Sequence, residues 1–196
     1  MYQPTIDISS VRSASSWLKG YYFTRFAFSA AWVAAAFTVA KTNASLAAIL
    51  LVAYPAWDAA ANYADASRSG GLSGNISQTL NLTFSVMTTV AVALALGLGM
   101  HAVVGIFGVW ATVAGLFQLT TAVHRWKSAR AQWPMILSGA QSMLAGVFMV
   151  TIAAGTKPVG ITDIAPYAAF GAFYFLVSSI SLAISDARSG AVRAAA

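Results

Sequence analysis

The chain has 196 residues, of which 59% are hydrophobic and only 8% are charged. A water-soluble domain typically carries about 25% charged residues, so this composition excludes a soluble globule and indicates a protein whose solvent is lipid. The net charge of +6 does not predict nucleic-acid binding, because the basic residues lie between long apolar runs, where they set membrane orientation. The sequence holds no cysteine, which excludes disulfides, a thiol nucleophile and a cysteine-based metal site.

The N-terminal segment, residues 1–20, is more polar than the sequence that follows it. It contains no apolar run of the kind that a signal peptide needs, so we expect no cleaved leader. We predict that this segment is cytoplasmic, and two interpretations of its structure fit equally well. It is either an interfacial helix that Ser9 or Ser10 caps, or a disordered tail.

Six apolar runs follow, each long enough for a helix to cross the hydrocarbon core of a bilayer, which takes about 20 residues. The runs are continuously apolar rather than alternating, which favours helices over strands. We therefore predict an all-α integral membrane protein with a transmembrane domain at 21–184 and a cytoplasmic tail at 185–196. The six predicted spans are 21–40, 46–64, 80–98, 103–123, 135–154 and 164–184.

The distribution of basic residues over the connections predicts the orientation, because lysine and arginine are enriched on the cytoplasmic side of membrane proteins. One set of span ends carries only Lys41 and Lys157. We therefore place the other set in the cytoplasm, with the N-terminus, the loops 65–75 and 124–133, and the C-terminus. The basic residues of that set are Arg12, Lys19, Arg68, Arg125, Lys127, Arg130, Arg188 and Arg193.

Matches between distant parts of the chain indicate an internal repeat. Shifting the chain against itself by 56 to 63 residues aligns polar, aromatic and glycine residues of successive hairpins. We predict three repeated hairpins, each starting in the cytoplasm, related by an axis along the membrane normal. The matches include Phe28-Ser29 with Phe84-Ser85, Arg25 with Asn81, Asn62 with Gln118, and Ser85 with Ser142.

Small residues recur every four positions along the first, third and fifth spans, and such ridges let helix backbones approach closely. We predict that they pack within the chain or between the subunits of a homo-oligomer or a larger membrane complex. An alanine-rich sequence also produces such ridges with no packing role, so both interpretations stay open. The predicted packing positions are Ala27, Ala31, Ala35, Ala91, Ala95, Gly99, Ser138, Ser142 and Gly146.

A cluster of polar residues lies inside the predicted spans, and Asp58 and Arg25 are its charged members. A carboxylate in the bilayer costs about 2.5–3.5 kcal/mol unless it is paired or hydrated. A turn near residues 42–43 puts Arg25 at the depth of Asp58, which predicts a salt bridge. Either the cluster holds helices together, which we favour because it has few ionisable groups, or it lines a cavity or proton path in which Asp58 titrates. The predicted cluster is Arg25, Asp58, Asn62, Asn81, Gln118 and Gln141.

The remaining motifs do not predict an enzyme. The stretch GLGMHA at 97–102 fits a dinucleotide-binding pattern, but no strand precedes it. His101 and His124 fall on opposite sides of the membrane in the predicted topology, so they cannot share a metal. No serine lies in a nucleophile motif. We therefore expect no catalytic residue, no metal and no cofactor, and we expect the lipid bilayer rather than nucleic acid as the partner.

Residues 104–149, from VGIFGVWATVAGLFQLTTAVHRWK to AQWPMILSGAQSMLAGVF, resemble the HdeD-like family of bacterial inner-membrane proteins. The resemblance implies six spans in repeated hairpins, an inner-membrane location and a role in acid or stress tolerance, and it brings no catalytic residues. Three hypotheses follow: a non-enzymatic stress-related membrane protein, a small-solute or proton transporter using Asp58, and an accessory subunit of a larger membrane complex. The residues that carry the resemblance are Gly108, Trp110, Gly115, Gln118, Leu119, Trp133 and Gly139.

Overall fold

The computed structural model describes residues 8–68, 70–74, 76–124 and 133–194, and within these ranges it contains helices and turns but no strand. Each of the six long helices described contains a segment long and apolar enough to cross a membrane. The prediction of an all-α, multi-pass membrane protein is therefore confirmed. The helices are α1 (Ile8–Ala35), which continues as a π-helical segment (Ala36–Ala40), α2 (Ala44–Arg68), α3 (Ile76–Ala95), α4 (Met100–His124), α5 (Trp133–Ala153) and α6 (Ile161–Ala194).

The turn between α3 and α4 begins earlier than the sequence predicts. The third predicted span ends at residue 98, which is wrong, because α3 ends at Ala95. Gly99 has a φ of +104°, a left-handed conformation that favours glycine, and its amide donates to the carbonyl oxygen of Ala95 at 3.1 Å. Gly99 therefore terminates the helix, and it is exposed, with no atom of the described chain beyond its two sequence neighbours within 4 Å of where its Cβ would lie.

The first and last helices extend well beyond the predicted spans. Helix α1 begins at Ile8, so Ser9 and Ser10 lie inside it rather than ahead of it, and the described part of the N-terminal segment is continuous with the first span. Helix α6 runs to Ala194, so most of the predicted tail is helical. Residues 1–7 and the basic stretch at 125–132 lie outside the described residues.

Successive helices run in opposite directions, which gives the bundle two different ends. The short-turn end carries the connections at 41–43, 96–99 and 154–160. The opposite end, called here the long-loop end, is where α1, α3 and α5 begin and α2, α4 and α6 end. The most extensive packing joins α4 to α5, α1 to α6 and α2 to α3, whereas the backbones of α1 and α2 approach each other at few points. The closest helix pairs therefore lie between the predicted hairpins, and the repeat of three hairpins stays a prediction.

The half of the bundle near the short-turn end is filled by a continuous apolar core. Trp32 packs there at 2% exposure, and its indole Nε1 donates to the carbonyl oxygen of Leu50 at 2.7 Å, so its one polar atom is satisfied. Asn43 caps α2 at this end, since its Oδ1 accepts from the amide of Leu46 at 3.0 Å. This half of the bundle is closed. Its largest fully buried side chains include Leu51, Val92, Val103, Val104, Phe107, Met149 and Ile164.

Helices α4 and α5 pack closely because glycines let their backbones meet. A Cβ atom on Gly146 would lie 2.5 Å from the carbonyl oxygen of Gly108, and one on Gly115 would lie 2.5 Å from that of Gly139. Carbon atoms do not approach oxygen this closely, so only glycine fits these positions. Ser142, on the same face of α5, donates to the carbonyl oxygen of Ala111 at 2.9 Å. The ridge predicted on the fifth span thus faces α4.

The other two predicted ridges differ from this one. On α3, Ala95 is buried and Ala91 is half-buried. On α1, Ala27 and Ala31 are exposed and Ala35 is half-buried. Ala27 and Ala31 therefore face outward from the described chain, whereas Ala35 is partly covered by it.

Candidate functional site

The half of the bundle near the long-loop end encloses a partly open cavity of about 370 Å³. This volume lies within the range of about 300–1,000 Å³ that is usual for small-molecule sites. All six helices contribute side chains to its wall, and many of these are polar, in contrast to the apolar core below. The polar lining includes Arg25, Asp58, Asn62, Asp65, Gln78, Asn81, Gln118, Ser138, Gln141 and Tyr174.

Asp58 is the point at which three helices are joined in the cavity wall. Arg25 of α1 donates to its Oδ1 through Nη2 in a salt bridge. The Oδ2 atom accepts from Nδ2 of Asn62, on α2, at 2.8 Å and from Oγ of Ser85, on α3, at 2.7 Å. Both carboxylate oxygens therefore have donors, which lowers the cost of holding the charge inside the membrane.

Arg25 extends the same network to α6. Its Nη1 donates to the hydroxyl oxygen of Tyr21 at 2.9 Å, and its guanidinium carbon lies 4.2 Å from the ring centre of Phe175, a cation–π distance. The side chains of Arg25 and Asp58 are only 14% and 19% exposed. The salt bridge that the sequence predicts is thus present. Through Arg25 it connects α1 to both α2 and α6.

The opposite wall of the cavity carries side-chain amides that make only some of the hydrogen bonds available to them. The hydroxyl of Tyr174 donates to Oε1 of Gln141 at 2.9 Å, and Oε1 of Gln118 accepts from Ser138 at 3.4 Å. The NH₂ groups of both glutamines make no hydrogen bond to another described residue, and the same holds for the whole side chain of Asn81. These three groups, from α5, α4 and α3, are available to a ligand in the cavity.

Asp65 and Gln78 are cavity residues that the sequence interpretation missed. Asp65 was placed in the loop at 65–75, but α2 continues to Arg68, so its carboxylate stays on the helix and lines the cavity near the long-loop end. Nε2 of Gln78 donates to it across the start of α3. The helical spacing of Asp58, Asn62 and Asp65 along α2 was the available signal, because residues three and four apart share a face.

Three aromatic rings form the floor of the cavity, and the sequence interpretation missed these as well. The ring centre of Trp110 lies 6.1 Å from that of Tyr54 and 5.9 Å from that of Tyr167, with near-perpendicular planes. One ring comes from each of α2, α4 and α6, at spacings of 56 and 57 residues. These are the shifts at which the chain matches itself, so extending that comparison to aromatic residues would have found the floor.

Residues 82–151 match the family model described as a short repeat of unknown function (DUF308). They cover most of α3, all of α4 and most of α5, and they include the stretch 104–149 that resembles the HdeD-like family. No curated protein and no solved structure is similar to the chain at a significant level. The matched residues supply one wall of the cavity, with Asn81 just outside the match.

His101, the histidine whose side chain is described, does not line this cavity. His101 lies in the first turn of α4 at the short-turn end, where its Nε2 is 3.0 Å from the carbonyl oxygen of Lys157 and links α4 to the turn between α5 and α6. The side chain of His124 is outside the part of the chain that is described in detail. Among the described residues, no group of three or more histidine, aspartate or glutamate side chains lies close enough together to hold a metal ion.

Proposed function

We propose that this protein is a non-enzymatic, HdeD-like protein of the bacterial inner membrane whose central cavity binds a small polar solute. The observation that carries the proposal is the set of unengaged amides, on Asn81, Gln118 and Gln141, inside a cavity that all six helices line. The unused donors and acceptors of these amides face the open space of the cavity rather than protein, so each has room for a partner. A bound solute with donors and acceptors supplies that partner.

The charges and the family match support the location and the orientation. Among described residues, Lys19, Arg68 and Arg188 lie near the long-loop end, whereas the short turns carry Lys41 and Lys157. With the basic stretch at 125–132 added, positive charge predicts that the long-loop end is cytoplasmic. The cavity then faces the cytoplasm. HdeD-like proteins carry the repeat that matches residues 82–151, and the proposed role in acid or stress tolerance rests on that resemblance.

The charge of the cavity restricts the class of solute. Among the described residues, its lining carries one positive side chain, Arg25, and two acidic ones, Asp58 and Asp65. Arg25 is already paired with Asp58, so the described lining offers no unpaired cation to an anion. Aromatic walls and amide donors and acceptors fit a solute with hydroxyl, amide or ammonium groups. We infer that the solute is uncharged or cationic.

Binding is expected to raise the melting temperature of the purified protein. A panel of polyols, amino acids, amines and carboxylates would be added to protein in nanodiscs, with unfolding followed on heating. A solute at 100 times its Kd adds about 2.7 kcal/mol to the free energy of unfolding. We expect the stabilising members to be uncharged or cationic, and we expect the double variant Asn81→Leu/Gln141→Leu to lose the effect because its amides are gone.

Thr151→Val is the matched control, since Thr151 is exposed on α5 and donates only to the carbonyl oxygen of Val147, one turn away. It should retain the full stabilisation. Equal stabilisation of the double variant and of wild type would place the ligand elsewhere on the protein. Stabilisation by carboxylates alone would contradict the inferred solute class.

A transporter that uses Asp58 is the second candidate, because this carboxylate lies in the cavity wall. In the conformation described here the aromatic floor and the apolar core close the path to the short-turn end, and the carboxylate already has three donors. Flux measurements in proteoliposomes separate the candidates. Solute or proton flux that Asp58→Asn abolishes, in protein that remains folded, would favour transport over binding alone.

A further inference from the structure

A second cavity lies on the outside of the bundle, in the seam between α1 and α2. The backbones of these two helices approach each other at few points, and the seam leaves a groove of about 710 Å³. Small residues form its walls at the positions where larger side chains would close it, and Ser16, Gly20, Thr24 and Ala60 are exposed along it. The groove therefore opens sideways, toward the membrane. Its small lining residues are Ser16, Gly20, Thr24, Ala60, Ala61 and Ala64.

Hydrogen-bond donors without acceptors are concentrated around this groove. Among the described residues, the buried side-chain nitrogen and oxygen atoms that lack a hydrogen-bond partner are Nε1 of Trp17, Nε of Arg25 and Nε1 of Trp57. All three belong to residues that line the groove. Since a buried donor left unpaired costs free energy, the groove is short of acceptor oxygens, and a ligand carrying such oxygens would supply them.

The described charged residues that line the groove are all positive. Its lining contains two arginines, Arg25 and Arg68, and no acidic residue. Arg25 is paired with Asp58, whereas neither salt bridge among the described residues involves Arg68. The guanidinium carbon of Arg68 lies 4.1 Å from the ring centre of Trp17, at the long-loop end of the groove. An arginine beside a tryptophan at the membrane surface is suited to a lipid headgroup.

We propose that the groove between α1 and α2 binds an anionic phospholipid, with an acyl chain along the small residues and the phosphate at Arg68 and Trp17. The apolar length of the groove suits the acyl chain, and Arg68 suits the negative charge. The phosphate and ester oxygens are the acceptors that the unpaired donors lack. This proposal is independent of the solute in the central cavity, because the two cavities share only Tyr21 and Arg25 in their linings.

Native mass spectrometry of the delipidated protein, with added lipid, tests the proposal. Phosphatidylglycerol and phosphatidylcholine with identical acyl chains are compared, so that only the headgroup differs. Wild type should prefer phosphatidylglycerol. Arg68→Gln should reduce that preference roughly fivefold, the effect of one arginine at a membrane surface. Arg188→Gln is the matched control, because Arg188 is an exposed arginine near the same end of the bundle but does not line the groove, and it should leave the preference unchanged.

A second variant tests the position of the acyl chain. Ala60 is exposed in the groove wall, so Ala60→Trp fills the groove without entering the protein core, and it should remove most of the bound lipid of both kinds. Equal preference in Arg68→Gln and Arg188→Gln would overturn the headgroup assignment. Lipid binding that Ala60→Trp leaves intact would overturn the groove assignment. A dimer of the chain that Ala60→Trp dissociates would assign the groove to a second copy instead and overturn the proposal.

Discussion

Replacing Asp58 with asparagine is expected to lower the free energy of unfolding by about 3–5 kcal/mol, the range for breaking a buried ion pair from one side. The substitution leaves the guanidinium of Arg25 inside the membrane without a counter-charge, and its remaining described partners are the hydroxyl and ring of Tyr21 and the ring of Phe175. It also removes the charged acceptor of Ser85. Arg25→Gln should have a similar effect, because it leaves the carboxylate without its cation. Thermal unfolding and the yield of monodisperse protein in detergent measure both losses.

The double variant and a surface ion pair make the test specific. Arg25→Gln combined with Asp58→Asn should cost less than the sum of the two single losses, and exchanging the charges between the two positions should restore part of the yield. Lys19→Gln is the control: Lys19 lies 2.7 Å from Asp186 in the other described salt bridge, but these side chains are 31% and 39% exposed, so at most about 1 kcal/mol is expected. If the buried variants behave like this control, the pair does not hold the helices together.

Gly146→Ala is expected to destabilise the protein by about 1–3 kcal/mol, the usual cost of overpacking a close interface. A Cβ atom at position 146 would lie 2.3 Å from Oγ1 of Thr112 and 2.5 Å from the carbonyl oxygen of Gly108, so α4 and α5 must move apart. Gly115→Ala meets the carbonyl oxygen of Gly139 at 2.5 Å and should behave in the same way. Urea or thermal unfolding in detergent measures both.

Gly105→Ala is the matched control on α4. The nearest atom to a Cβ there is the Cβ of Ala153 at 3.6 Å, an ordinary contact distance. Alanine is the better helix former by about 1 kcal/mol, so this variant should be neutral or slightly more stable than wild type. Equal stability of Gly146→Ala and Gly105→Ala would mean that the close α4–α5 approach is absent.

The sequence predicts the parts of this fold that depend on solvation. Six apolar runs must be helices in lipid, and a lone arginine and a lone aspartate at one depth must pair. The hairpin register between α1 and α2 was enough to bring Arg25 to Asp58. The ridge at Ser138, Ser142 and Gly146 was also visible, because close helix packing in lipid selects small residues.

The cavity itself was harder to predict, because it depends on which faces of the helices meet. Sequence spacing alone does not show that α1 packs against α6 while leaving a seam toward α2. The floor of Tyr54, Trp110 and Tyr167 is built from residues more than 50 positions apart, and aromatic residues are common throughout the chain. The sequence left two roles open for Asp58: holding helices together or lining a cavity. The structure shows that the two are compatible, because the hydrogen-bond network that joins the helices at Asp58 also forms the cavity wall.

Thiol labelling tests the central cavity most directly. The chain contains no cysteine, so any labelling comes from the single thiol that is introduced. Asn81→Cys and Gln118→Cys place thiols in the cavity wall, and Ala111→Cys places one in the fully buried core, on the same helix as Gln118. A charged, membrane-impermeant thiol reagent would be applied to each face of membrane vesicles. We expect positions 81 and 118 to react from the cytoplasmic face only, and position 111 to stay unmodified. Protection of positions 81 and 118 from both faces, or their labelling from the opposite face, would contradict a water-accessible cavity open to the cytoplasm.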